Sequence, residues 1–284
     1  MNLLTPVQID TLPFSFSLND NILVLGSCFA DQIGEKMKEC GLRVCINPFG
    51  TLYNPASICQ ALERLESGKP FCPADCVEMG AGAGKICSFS HHTSFARARE
   101  EDFLQNANAS LEEAASFWKS CNRLIVTFGT AMVWKHGGSV VANCLKRPAA
   151  EFTHEMLSVE ESSSYIDTIL RLAGGRGVLL TVSPIRHLGT GAHLNMLSKA
   201  TLQLAADKSL GAFPRAAYFP SYEIMMDELR DYRFCADDLC HPNAQAVEYI
   251  WEKFVQTVVP ASEHEQLRAN VKEARRMAHR AILK

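Results

Sequence analysis

The sequence predicts an α/β fold built on a mainly parallel sheet with helices on both faces. Three nearly continuous apolar runs, residues 21–25, 123–128 and 177–182, are each halted by Gly or Ser. Longer stretches with helical spacing lie between them, which is the pattern of strand-helix-strand units. Strands that are apolar on successive residues, rather than on alternate ones, suit a sheet buried on both sides by crossover helices.

At 284 residues the chain has the length of one large domain or two small ones. With 47% hydrophobic and 21% charged residues it is neither collagen-like, wholly disordered nor a coiled coil. The net charge of −3, from 28 Lys and Arg against 31 Asp and Glu, gives no reason to expect nucleic acid or an anionic membrane as partner. Residues 1–12 lack the basic start and apolar run of a leader, and no segment approaches the ~20 apolar residues that span a bilayer. A cytoplasmic protein is therefore expected. The eleven cysteines are odd in number and scattered, which suits reduced thiols. Neither the pair Cys72 and Cys76 nor the group Cys235, Cys240 and His241 matches a strong zinc spacing, so neither a metal nor another cofactor is expected.

The first strand ends in Gly26-Ser27-Cys28-Phe29-Ala30, and helical material follows over 31–40. Gly41 stops that helix before a second strand at 43–46. Helical spacing over 54–66 ends at Gly68 and Pro70. Residues 70–100 read as a loop-rich insertion with a strand at 85–89 and the pair His91-His92. A helix over 101–120 leads into the strand at 123–128, and a hairpin follows within 133–145. Ser158 and Glu161 have capping-box spacing at the head of a helix over 158–172. After the strand at 177–182 come a helix over 194–210, a short strand at 216–219 and a short helix over 222–229. Pro242 is expected at the first position of a helix running to about 259, and 263–283 forms a charged amphipathic helix. No linker rich in Ser, Gly or Pro divides the chain, so residues 1–260 are expected to form one domain and 261–284 a helical extension.

In an open α/β sheet, ligands bind beyond the carboxyl ends of the strands. Here those ends carry Ser27, Gly129-Thr130 and Ser183-Pro184-Ile185-Arg186-His187, while the segment Asp237-Asp238-Leu239-Cys240-His241-Pro242 sets a carboxylate three residues before a histidine. A serine hydroxyl needs a neutral imidazole to take its proton, and a carboxylate on the other ring nitrogen holds the tautomer. Ser27 at a strand-to-helix turn suits the nucleophile, and its own N–H could serve a developing oxyanion. The alternative is an ordinary helix-capping serine.

These motifs resemble the GSCFA-domain family, named for the pentapeptide at 26–30. The resemblance extends to residues 47–55, Thr127-Phe128-Gly129-Thr130, the segments 183–187 and 218–222, and Arg233 through Asn243. GSCFA proteins in turn resemble the SGNH, or GDSL, hydrolases, which implies a flavodoxin-like three-layer α/β/α sandwich and cleavage of esters, often acetyl or acyl groups on lipids and carbohydrates. The resemblance implies Ser27 as nucleophile, His241 as base and Asp238 as its orienting acid. It implies an oxyanion hole from Ser27, Gly50 and Thr130, the last standing where many SGNH enzymes carry Asn. Asn54, Arg186 and His187 are the substrate-binding candidates, and a small-molecule or carbohydrate ester is the expected substrate.

Two other readings stay open. Cys28 is a rival nucleophile for the same His241, and the chain could be a non-catalytic binding module that keeps an SGNH-like pocket. In the C-terminal helix, Leu267, Val271, Ala274, Ala278 and Ala281 or Ile282 form a stripe suited to packing on the domain or on a second subunit.

Overall fold

The computed structural model describes residues 4–282, with side chains through Met277. The chain runs β1 (Asn21–Gly26), α1 (Cys28–Glu39), β2 (Arg43–Ile46), α2 (Pro55–Ser67), β3 (Val77–Glu78), β4 (Ile86–Cys87) and α3 (Glu100–Ser120). It continues through β5 (Arg123–Phe128), β6 (Met132–His136), β7 (Ser139–Val141), β8 (Phe152–Met156), α4 (Val159–Ala173), β9 (Gly177–Val182), α5 (Ala192–Leu210) and β10 (Ala216–Tyr218). Last come α6 (Ser221–Glu223), which widens into a π-helical segment at Ile224–Leu229, then α7 (Ala244–Val258) and α8 (His264–Ile282).

Five strands form the central sheet in the order β2-β1-β5-β9-β10, every pair parallel. Successive side chains of a strand point to opposite faces, and the two faces bury different sets. Leu23, Leu25, Leu124, Val126, Phe128, Val178, Leu180 and Val182 pack with α2, α3, α4 and α5. Ile22, Val24, Ile125, Leu179 and Ala217 pack with α1, α7 and Leu267 of α8. This is the three-layer α/β architecture the sequence predicts. The chain winds outward from β1 in both directions, so the crevice of this topology opens at the carboxyl ends of β1 and β5.

Several elements differ from their sequence reading for local reasons. Helix α1 begins at Cys28, because Ser27 caps it. Pro242 is not the first helical residue of α7. It bridges to Cys235, and Asn243 is the cap, its side chain accepting from the Ala246 N–H. The hairpin of β6 and β7 gains a third strand, β8, paired along β6, which the sequence reading left out. The strand at 85–89 shrinks to Ile86–Cys87 on β3. The capping box at Ser158 and Glu161 forms as expected.

Helix α8 lies on the domain surface. Leu267 is buried, Val271 packs on the same cluster, and Asn270 Nδ2 donates to the Cys40 carbonyl at 2.7 Å. The side chains of Ala278, Ala281 and Ile282, counted in the expected stripe, lie outside the described residues. Among the described residues no helix is long and apolar enough to cross a membrane.

Candidate active site at the carboxyl edge of the sheet

The turn after β1 depends on a glycine. Gly26 has φ +140°, and a Cβ there would stand 2.2 Å from the Thr127 carbonyl oxygen, so only a bare Cα fits between β1 and β5. Its N–H donates to Asn47 Oδ1 at 2.8 Å, while Asn47 Nδ2 donates to Asp31 of α1 at 2.6 Å. Asn47 thus ties the strand end to the following helix. Ser27 comes next, completely buried, with its N–H on the Thr127 carbonyl at 3.2 Å and its Oγ accepting from the Phe29 N–H at 3.3 Å. It is a helix cap in this state. Cys28, the first residue of α1, is half-buried, and its Sγ lies 3.4 Å from the Tyr53 hydroxyl, itself 3.2 Å from Thr51 Oγ1. Burial raises the Tyr53 phenol well above its ordinary pKa and keeps it protonated.

One face of α5 fixes the ends of β5 and β9. Ser198 Oγ accepts from the Ala131 N–H at 2.7 Å and lies 2.9 Å from Thr130 Oγ1, which also accepts from the Met132 N–H. Asn195 Oδ1 accepts from the His187 N–H at 2.9 Å. Lys199, 1% exposed, donates to the carbonyls of Gly129 at 2.6 Å and Ser183 at 2.7 Å. The Gly129 and Thr130 N–H groups both donate to the Tyr53 carbonyl, at 2.7 and 2.9 Å. His187 packs edge-on to Tyr53 with ring centroids 5.7 Å apart, and its Nε2 is enclosed without a hydrogen-bond partner. Burial, then the Lys199 and His241 charges, push the His187 imidazole down to about 4.

His241 sits in the loop before α7, and Asp238 holds that loop at three points, two of them on His241. The carboxylate accepts from the Cys240 N–H at 2.9 Å, from the His241 N–H at 2.9 Å and from His241 Nδ1 at 2.5 Å. Those bonds, the backbone ones first, hold Asp238 down at about 2. The loop is joined to the end of β9 because the Arg186 N–H donates to the Cys240 carbonyl at 3.1 Å and its guanidinium to the Leu239 carbonyl.

The expected site residues therefore gather at one edge of the sheet, but several are occupied within the protein. Asp238 and His241 pair. Among the described residues no hydrogen bond joins His241 to Ser27. Gly50 lies in the loop where Leu52 N–H reaches the Gly26 carbonyl, yet the Gly50 N–H is spent on Asn47 O at 2.7 Å. Thr130 is bound into the Ser198 network, and the Asn54 Oδ1 caps α2 through the Ser57 N–H at 2.8 Å. None of these three positions keeps its polar group free, because each short connection must satisfy its own backbone groups. Arg186 braces the histidine loop. The pair at 91–92 divides, His91 fully buried among Phe49, Phe71, Phe95 and Phe103, and His92 accepting from the Ser94 N–H.

Sequence reasoning missed Tyr53, Ser198 and Lys199. A lysine amid Leu and Ala in α5 was the available signal, since lysine is almost never fully buried without a task. All eleven cysteines are free thiols, and among the described residues no three His, Cys, Asp or Glu side chains converge as a metal site.

No curated protein matches this chain. The sequence profile of the GSCFA family matches residues 21–254, which hold the whole central sheet, the Gly26 turn and the Asp238–His241 pair, so the chain belongs to the GSCFA family.

Proposed function

We propose that this protein is an ester hydrolase acting through an acyl-enzyme, with Ser27 as nucleophile, His241 as base and Asp238 as the acid that orients it. The observation that carries the reading is the double hold of Asp238 on His241, through the backbone N–H and Nδ1, which fixes Nδ1 as donor and leaves Nε2 as acceptor for a proton. The resemblance of the family's motifs to SGNH hydrolases supports it.

In the first half-reaction the Ser27 oxygen bonds to the ester carbonyl carbon and gives its proton to His241 Nε2. His241 returns that proton to the alcohol oxygen as the ester C–O bond breaks. Water then bonds to the acyl carbon, its proton passes through His241 back to Ser27, and the carboxylic acid leaves. Ser27 must first turn from its cap to the substrate, a change of side-chain rotamer that releases the Phe29 N–H. Carbohydrate acetyl esters are the substrates to test first, because they are common in the group the motifs resemble.

A specific observation favours a second nucleophile. Cys28 is half-buried where Ser27 is enclosed, and it already meets a polar partner in Tyr53. Treatment with a fluorophosphonate and, separately, with iodoacetamide, followed by peptide mapping, separates the readings. Fluorophosphonate on Ser27, lost in His241→Ala, is the expected result. Iodoacetamide on Cys28 that blocks acetyl ester hydrolysis, with Ser27 unlabelled, transfers the role to the thiol. A protein without turnover that gains thermal stability from an acetylated sugar is the binding module instead.

A further inference from the structure

We infer that His187 is a further catalytic residue, its neutral imidazole donating a hydrogen bond from Nε2 to the carbonyl oxygen of the bound ester. The inference rests on the hydrolase reading and answers a question that reading leaves: which donor stabilises the negative charge on the carbonyl oxygen when the nucleophile adds.

The donors expected from the sequence are engaged. The Ser27 N–H is held by Thr127 O, the Gly50 N–H by Asn47 O and the Thr130 N–H by Tyr53 O. The Thr130 hydroxyl stands in the Ser198 pair. By contrast, His187 Nε2 is buried and has no partner among the described residues. An unsatisfied buried polar atom is costly, and a ligand that supplies the partner recovers that cost.

The position of this atom fits the task. It lies 3.1 Å from the point where a side chain at Gly129 would begin, at the end of β5, and beside the Tyr53 ring whose hydroxyl meets Cys28. The Tyr53 carbonyl and ring close the same point at 3.2 and 3.3 Å, so a small carbonyl group reaches Nε2 only when the Tyr53 or His187 ring turns. The His187 backbone is fixed by Asn195. Burial, the largest cause, keeps its ring uncharged at neutral pH. An uncharged imidazole in the Nε2–H tautomer can donate to an oxyanion without competing with His241 as the base.

The test compares hydrolysis of phenyl acetate by the full-length wild type, His187→Phe, His187→Gln and His241→Ala, each checked for folding by circular dichroism. Phe keeps the ring packing on Tyr53 and removes the donor, whereas the Gln amide restores one. The expected result is a kcat lowered about 10²–10³-fold in His187→Phe with KM within about threefold of wild type, and recovery of at least about tenfold in His187→Gln. A kcat for His187→Phe within about threefold of wild type overturns the inference while the hydrolase reading stands, as does a loss confined to KM or a Gln variant as slow as Phe. A wild type no faster than His241→Ala removes the hydrolase reading, and the inference with it. Should His187→Phe not fold, the ¹⁵N signal of the His187 ring in wild type decides: it must shift when phenyl trifluoromethyl ketone adds to the nucleophile, and an unmoved signal overturns the assignment.

Discussion

The Lys199 ammonium lies 2.6 Å from the Gly129 carbonyl oxygen and is enclosed by protein on every side. Its other acceptor is the Ser183 carbonyl, and no carboxylate among the described residues pairs with it. One buried amino group therefore joins the ends of β5 and β9, the two strands whose loops carry Thr130 and His187. Burial pushes Lys199 down to about 7.

That shift predicts a pH dependence of stability. An unfolded lysine titrates near 10.4, so between about 7 and about 10 the unfolded chain binds more protons than the folded one. The contribution of Lys199 to stability therefore rises with pH across that window and is flat below it. Urea unfolding of wild type and Lys199→Met at pH 7, 8 and 9 should show wild type gaining on the variant, by up to about 1.4 kcal/mol per pH unit. A constant difference would mean that Lys199 keeps its charge in the folded protein.

His91 predicts the opposite edge of the pH range. It is fully buried, its Nδ1 lies 2.7 Å from Ser88 Oγ, and burial pushes its imidazole down to about 3. An unfolded histidine titrates near 6.5, so the His91 contribution is complete above about 6.5 and is lost as pH falls toward 3. His91→Leu should lose less stability than wild type between pH 6.5 and 4.5. Parallel pH curves for the two proteins would refute the assignment.

Gly26→Ala tests the turn that presents Ser27. The new Cβ would sit 2.2 Å from backbone, which no side-chain movement relieves, at a φ of +140° that alanine rarely adopts. A loss of about 3 kcal/mol or more is expected from denaturant midpoints, or no soluble protein at all. A variant as stable as wild type would show that β1 and β5 are less closely apposed at this point.

Ser27 and His241 should behave as one catalytic unit. Ser27→Ala or His241→Ala alone should remove most acetyl ester hydrolysis, and the double variant should lose little more. Thr130→Ala should be milder, because its hydroxyl is tied to Ser198. Equal rates for wild type and Ser27→Ala would show that hydrolysis does not use this hydroxyl.

The strands β5 and β9 were legible residue by residue, and so was the capping box of α4, because each is a local pattern of apolar runs, stops and caps. The Asp238–His241 pair was legible for the same reason: its members stand three positions apart within one loop. Strand β8 was not, since its five residues become a strand only by pairing with β6. What the tertiary structure alone decided is the state of each donor. Whether the Thr130 hydroxyl or the His187 Nε2 is free depends on Ser198 and on what packs beside Tyr53, and Thr130 and Ser198 stand 68 residues apart in the chain. Periodicity and capping are properties of a few neighbouring residues, so a sequence carries them openly. The satisfaction of a buried polar atom is settled by whichever distant segment packs against it, and that exists only once the chain has folded.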